Sequence, residues 1–291
     1  ATVGEGYDYS SLITAESSEQ AIYGNLVGDG NTMTFEIYGT VDHSTAECEI
    51  TGWTTGASNF ITIKSGSGES HGGVIGGGAI LTTEKGFGST LIINQVNTEV
   101  RDLEINNTTV SNLGRAINAG IYDDCVYEKL ICTTTSGSGE VFFNDSIYND
   151  GMIIRNCLLY DSSTESTRPA LQVNTTTDIQ NCTIKTNRAN GIKRSQTRPL
   201  TLTNVVVVGA TSADFNLAGG DSGAGVTMVN CASGDGTATG TDPVNGVSLA
   251  DGVDFVAPST NDFNVVSGGT LHEKGITIPG FSDDIAGNPR G

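Results

Sequence analysis

Aromatic side chains are scarce in this sequence: one Trp and 6% aromatics in all. Sugar-binding grooves usually stack rings on Trp or Tyr, whose faces are amphipathic, so composition lends no support to a long polysaccharide groove. Basic residues are also few, 14 Lys and Arg against 33 acids, which leaves a net charge of −19. Duplex DNA or RNA needs a basic footprint, and an anionic membrane surface would repel the chain. Neither nucleic acid nor membrane is an expected partner. The acidic surface reads as solubility or adaptation to salt. No apolar run approaches the ~18 residues of a membrane-spanning helix. The 39 Gly keep no three-residue period and Pro numbers only 6, which excludes collagen. The cysteines (Cys48, Cys125, Cys132, Cys157, Cys182 and Cys231) form no CxxC and have no His at ligand spacing. That excludes a zinc framework and, at this length, a disulfide scaffold; buried free thiols are expected. His43, His71 and His272 lie far apart and show no metal spacing, so polar turn roles are expected for them. No metal or cofactor is implied.

What fills the deficit is Gly together with 37 Thr and 23 Asn. These residues suit turns, stacked strands and polar ladders and make poor long helices. Several short segments align with one another. Val100–Ile105, Ile154–Leu159, Ile179–Ile184, Leu202–Val207 and Met228–Ser233 share the form apolar, x, polar, apolar, x, apolar, and Tyr127–Cys132 fits more loosely. The third position falls at 102, 129, 156, 181, 204 and 230, a spacing of 23 to 27 residues. A period near 25 with short strands and no helical pattern predicts one coil of a parallel β-solenoid. A Leu-rich consensus is absent, which sets leucine-rich repeats aside. Cys157, Cys182 and Val205 would point inward and stack. Asn156, Asn181, Asn204 and Asn230 would sit at a turn in the left-handed conformation, each amide within reach of the next coil.

On these residues the chain resembles right-handed parallel β-helix proteins of the pectate-lyase-like superfamily. The implied fold is all-β: a right-handed parallel β-helix of about 25 residues per coil with a short N-terminal helical cap. We expect a single domain over residues 1–291, with a cap at 1–30, coils at 31–260 and a closing tail at 261–291. The helix is expected within residues 11–20, and residues 233–245 read as a loop or irregular coil. Thr2-Val-Gly, Tyr7-Asp-Tyr-Ser-Ser-Leu12, Ile50-Thr-Gly-Trp-Thr-Thr55 and Ile61-Thr-Ile-Lys64 together resemble the opening of β-helix proteins encoded among tailed-phage virion genes. Asp284-Ile-Ala-Gly-Asn-Pro-Arg290 resembles the closing segment of many β-helix repeat proteins.

Lyases of the superfamily use Asp or Glu to hold Ca²⁺ and a Lys or Arg as base. Hydrolases use carboxylate pairs about 5 Å apart for retention and about 6.5–9.5 Å for inversion. The best carboxylate set here is Asp123, Asp124 and Asp150. Asp123 and Asp150 both fall six residues before a repeat marker, which would place them on neighbouring coils. They read either as a glycosidase pair or cation site, or as turn aspartates bonding their own backbone. Lys193, Arg194 and Arg198 form the one basic cluster, read as a loop between coils that would be a lyase base, a contact to an acidic partner, or a solvated turn. The Asn-x-Thr sequons at Asn106, Asn107, Asn174 and Asn181 fit turns built of Asn and Thr. The start, Ala-Thr-Val-Gly-Glu-Gly, carries no basic or apolar leader region, so export by a signal peptide is not expected.

These features lead to an expectation of a non-enzymatic structural or surface protein of a phage particle, a capsid decoration or fibre-type subunit with no catalytic residues. It would contact virion or capsid subunits as a homo-oligomer, a trimer, at the virion surface. The alternative is a carbohydrate-active enzyme, a polysaccharide lyase or tailspike-type glycosidase, secreted or extracellular, working in a groove along the solenoid. In that case Asp123, Asp124, Asp150, Lys193 and Arg194 would be the catalytic candidates and a glycan the partner. An exported adhesin would need a leader that the chain does not display.

Overall fold

The computed structural model describes residues 1–43, 46–84, 88–108, 114–120, 124–135, 139–144, 151–163, 167–217, 225–279 and 283–289. Within them the chain winds into a right-handed parallel β-helix with three long sheets of nine, nine and seven strands. One coil shows the order. Met152–Arg155 lies in sheet 1, Leu158–Asp161 in sheet 2 and Pro169–Val173 in sheet 3. The chain then re-enters sheet 1 at Thr177–Gln180, pairing in parallel with Met152–Arg155.

The repeated hexapeptide is the corner between sheets 1 and 2. Its third residue is left-handed in every copy: φ is 55° at Asp102, 51° at Lys129, 52° at Asn156, 51° at Asn181, 55° at Asn204 and 51° at Asn230. Asn tolerates this conformation best among residues with a Cβ. Its amide also ties coils together, and Asn204 Nδ2 donates to Asn181 Oδ1 at 2.8 Å. The following residue turns into the core, forming the buried column Leu103, Leu130, Cys157, Cys182, Val205 and Cys231. All six cysteines are buried free thiols.

Both ends of this core are covered. At the N-terminus α1 (Leu12–Tyr23) is capped by the Ser11 hydroxyl, which accepts from Thr14 N–H at 3.2 Å. Leu12 and Ala15 enter the core, and Glu16 accepts from the Trp53 indole N–H at 3.1 Å. Thr2–Val3 adds a strand beside Met33–Ile37. At the other end residues 234–243 cross the last coil. There Ala238 is buried with the main core and Thr237 Oγ1 accepts from Phe215 N–H at 3.0 Å. After the strand Val244–Asn245 the chain leaves the solenoid and lies along its side.

That side is the outer face of sheet 2, where one register row runs Ile80, Glu104, Ile131, Leu158, Thr183, Val206, Ala232, Val244. Such an apolar outer row needs cover. A second core forms where Phe255 and Leu271 pack with Val208, Ala232 and Val247. At the opposite end, the loop of residues 66–79 folds over the row. Gly76 N–H donates to the buried Glu104 carboxylate at 2.5 Å. Burial pushes that carboxyl's pKa up. His71 pins the same loop: its Nδ1 accepts from Gly73 N–H at 2.9 Å, so Nε2–H donates to the Lys129 carbonyl at 2.7 Å. Burial drives the His71 pKa down, which favours this neutral form.

Candidate functional site

The outer face of sheet 1 concentrates charge. Side chains alternate along each strand, so two register rows face outward. One runs Glu99, Val126, Ile153, Asp178, Thr201; the other runs Glu36, Lys64, Arg101, Glu128, Arg155, Gln180. In a chain with 14 basic residues, three of them share the second row. Each is matched by an acid: Lys64 to Glu36 at 2.9 Å, Arg101 to Glu99 at 3.7 Å and Arg155 to Glu128 at 2.8 Å. The last pair is partly withdrawn from solvent, with Glu128 15% and Arg155 30% exposed.

Asp178 breaks the pattern. Its register neighbours, Ile153 and Thr201, carry no charge, and its Oδ2 accepts from Gln180 Nε2 at 2.6 Å. Oδ1 is buried and takes no hydrogen bond from any described residue. Burial raises the carboxyl pKa, and the Gln180 bond offsets this only in part. A carboxyl of this kind, held half-desolvated on an outer face, keeps its proton to higher pH than an ordinary carboxyl and is suited to pass it on.

Asp123 and Asp150 lie outside the described residues. Asp124 is exposed, in the left-handed conformation (φ 57°), at the entry to the sheet 1 strand Val126–Glu128. It abuts the next coil closely: a Cβ placed on Gly151 would lie 2.9 Å from Asp124 Oδ1. The basic cluster is corrected by the structure, because residues 190–194 are a strand of sheet 3 rather than a loop. Alternation sends Lys193 outward, in register with Gln172 and Asn216. It sends Arg194 inward, 1% exposed, where Nε donates to the Arg198 carbonyl at 3.0 Å. Neighbours in sequence thus occupy opposite faces. Conversely, Arg101, Glu128, Arg155 and Gln180 occupy the x position just before the turn residue of the hexapeptide. That position carries the signal for them, since it is where a coil displays its outward side chain.

No family model matches the chain, and no curated protein matches it. Among solved structures, the pectin methylesterase from Aspergillus niger in deglycosylated form is similar in fold. It shares 12% identity over 84% of this chain and 82% of the other, at a TM-score of 0.46. The penultimately deglycosylated form of that enzyme gives 14% identity over 93% and 92%, at a TM-score of 0.37. The expectation that this chain is not an enzyme is corrected by this finding, since the similar structures are enzymes. At such identities the likeness concerns the solenoid, and no residue role is carried across.

Proposed function

We propose that this protein is a carbohydrate-active enzyme that lays a polysaccharide along the outer face of sheet 1, with Asp178 as the proton-transferring group. The observation that carries the reading is the Asp178 carboxyl itself, half-buried, with one oxygen unpaired and its pKa raised. Parallel coils repeat every ~4.8 Å, so the face offers a regular track to a linear polymer. Arg101 and Arg155 sit in one row of that track, and a guanidinium grips a sugar carboxylate through two parallel N–H bonds. Protonated Asp178 donates to the leaving oxygen as the C–O bond breaks, a water molecule bonds its oxygen to the carbon left behind, and the proton that water releases restores the acid.

Reducing-end and unsaturated-product assays across uronate-containing and neutral polysaccharides test this. Asp178→Asn keeps the shape and the Gln180 contact but holds no transferable proton. It is expected to lower kcat by about 10²–10⁴-fold, with full-length protein folded as before. Activity should decline as pH rises through the raised pKa of the acid. Turnover that survives intact in Asp178→Asn, or no turnover on any polysaccharide tested, overturns the reading.

A further inference from the structure

The outer row of sheet 2 is covered by two segments far apart in sequence, which approach each other where Gly73 lies against Ile285 and Ala286. The loop of residues 66–79 covers its first half and the segment after residue 245 covers its last. Between them a cleft of about 920 Å³ opens over Leu158, Thr183 and Val206. Its roof is a strap made of residues 274–279 together with Asp284 and Ile285. This strap is held by the asparagine ladder: Asn230 Nδ2 donates to the Lys274 carbonyl, and Asn156 Nδ2 to the Asp283 carbonyl. Asn204 clamps Ile276 at both its N–H and its carbonyl. The strap end reaches the loop, since a Cβ on Gly73 would touch Ile285 at 3.2 Å. The opening is therefore bordered by hydrogen-bonded chain rather than being a surface dent.

We propose that this cleft is a binding site for a short neutral oligosaccharide. Its size lies within the range of small-ligand sites, about 300–1,000 Å³. The floor alternates apolar side chains with one hydroxyl, since Thr183 stands in register between Leu158 and Val206. The Asn181 amide borders it, with Oδ1 engaged by Asn204 and Nδ2 left to donate. Phe263 supplies an aromatic ring at the rim, tilted against Tyr160. An apolar floor with isolated amide and hydroxyl groups matches a sugar ring, which shows C–H on its faces and O–H on its edge. Charge points the same way. In a chain of net −19, the carboxylate lining the cleft is Asp284, and it is already engaged by Ala286 N–H and Asn288 N–H at 2.9 and 2.8 Å. Lys274 is the cation of the lining. The cleft opens on a different face from Asp178, so this inference stands apart from the catalytic reading.

Isothermal titration of the full-length protein with cellohexaose, xylohexaose, maltohexaose, chitohexaose and hexagalacturonate tests the site, with Asp178→Asn as background to prevent turnover. At least one neutral hexasaccharide should bind saturably, and more tightly than hexagalacturonate. Thr183→Val is isosteric and suits a strand, and should weaken binding on the order of fivefold by loss of one hydrogen bond. Thr183→Phe should fill the floor and abolish binding, while Thr203→Val on sheet 1 leaves it unchanged. Circular dichroism confirms that each variant is folded. No saturable binding up to millimolar sugar, tighter binding of hexagalacturonate, or unchanged binding in folded Thr183→Phe overturns the proposal.

Discussion

Asp214 shows how a single residue is set by the coil stacked above it. Its side chain is fully buried. Oδ1 accepts from Ala210 N–H at 3.0 Å, and Oδ2 accepts from Gly234 and Asp235 N–H at 2.7 and 3.2 Å. Burial outweighs these donors, the nearby Asp235 adds repulsion, and the pKa rises to about 6. An acid raised in the folded state stabilises the protein fully below its unfolded value, here 3.8, and that contribution fades as pH climbs through about 6. Thermal melts between pH 4 and 7 should therefore show a component of stability lost with rising pH, and Asp214→Asn should remove it. Identical pH slopes for the two proteins would contradict the assignment. Asp161 is satisfied differently: the Arg188 guanidinium bonds both its oxygens, at 2.5 and 3.3 Å, and Ser163 and Thr186 complete the set. At this scale the turn asparagines were legible because the same residue recurs once per coil. Asp178 and Asp214 were not, because each occurs once and its burial depends on neighbouring coils, 20 or more positions away in sequence.

Among the elements, the strap after Lys274 has no strand or helix among its described residues and is tied to the ladder. Asn204 is its main anchor, bonding Ile276 N–H to Oδ1 at 2.9 Å and the Ile276 carbonyl to Nδ2 at 2.8 Å. Asn204→Gly keeps the left-handed turn, which Gly adopts freely, and removes only the amide. Hydrogen exchange at the Ile276 amide should quicken about tenfold or more, consistent with a loss of about 1–3 kcal/mol in local protection, while core strands keep theirs. Unchanged exchange at Ile276 would mean that the strap is held by other contacts. Strand alternation also explains the fate of the basic cluster. Charge density along the sequence suggested a patch, but a period of two divides Lys193 from Arg194. The strand at residues 190–194 escaped notice because its own pattern, Asn-Gly-Ile-Lys-Arg, is polar at both inward ends.

For the whole molecule, the stacked coils make one continuous core from Val3 to Ala238. All six thiols lie within it. Burial raises the pKa of Cys48, Cys132, Cys157 and Cys231, so both access and thiolate formation are opposed. Thiol titration of the native protein should find almost no fast reaction and then all six groups in denaturant. Rapid labelling of Cys157, Cys182 or Cys231 in the folded protein would contradict the coil register.

The sequence by itself determined the solenoid. Its period, the left-handed turn residues, the inward column after them and the helical N-terminal cap are all local patterns repeated or placed by chain position, and local sterics and alternation read them directly. The tertiary structure alone decided the sites. Which outward side chains share a row depends on register between coils, and the hexapeptide shows an x position without showing that Arg155, Gln180 and Asp178 end side by side. The cleft is further from the sequence still. It exists because the loop at 66–79 and the tail beyond residue 245, about 170 residues apart, cover the same apolar row and leave its middle open. A gap between two covers has no residue of its own to announce it.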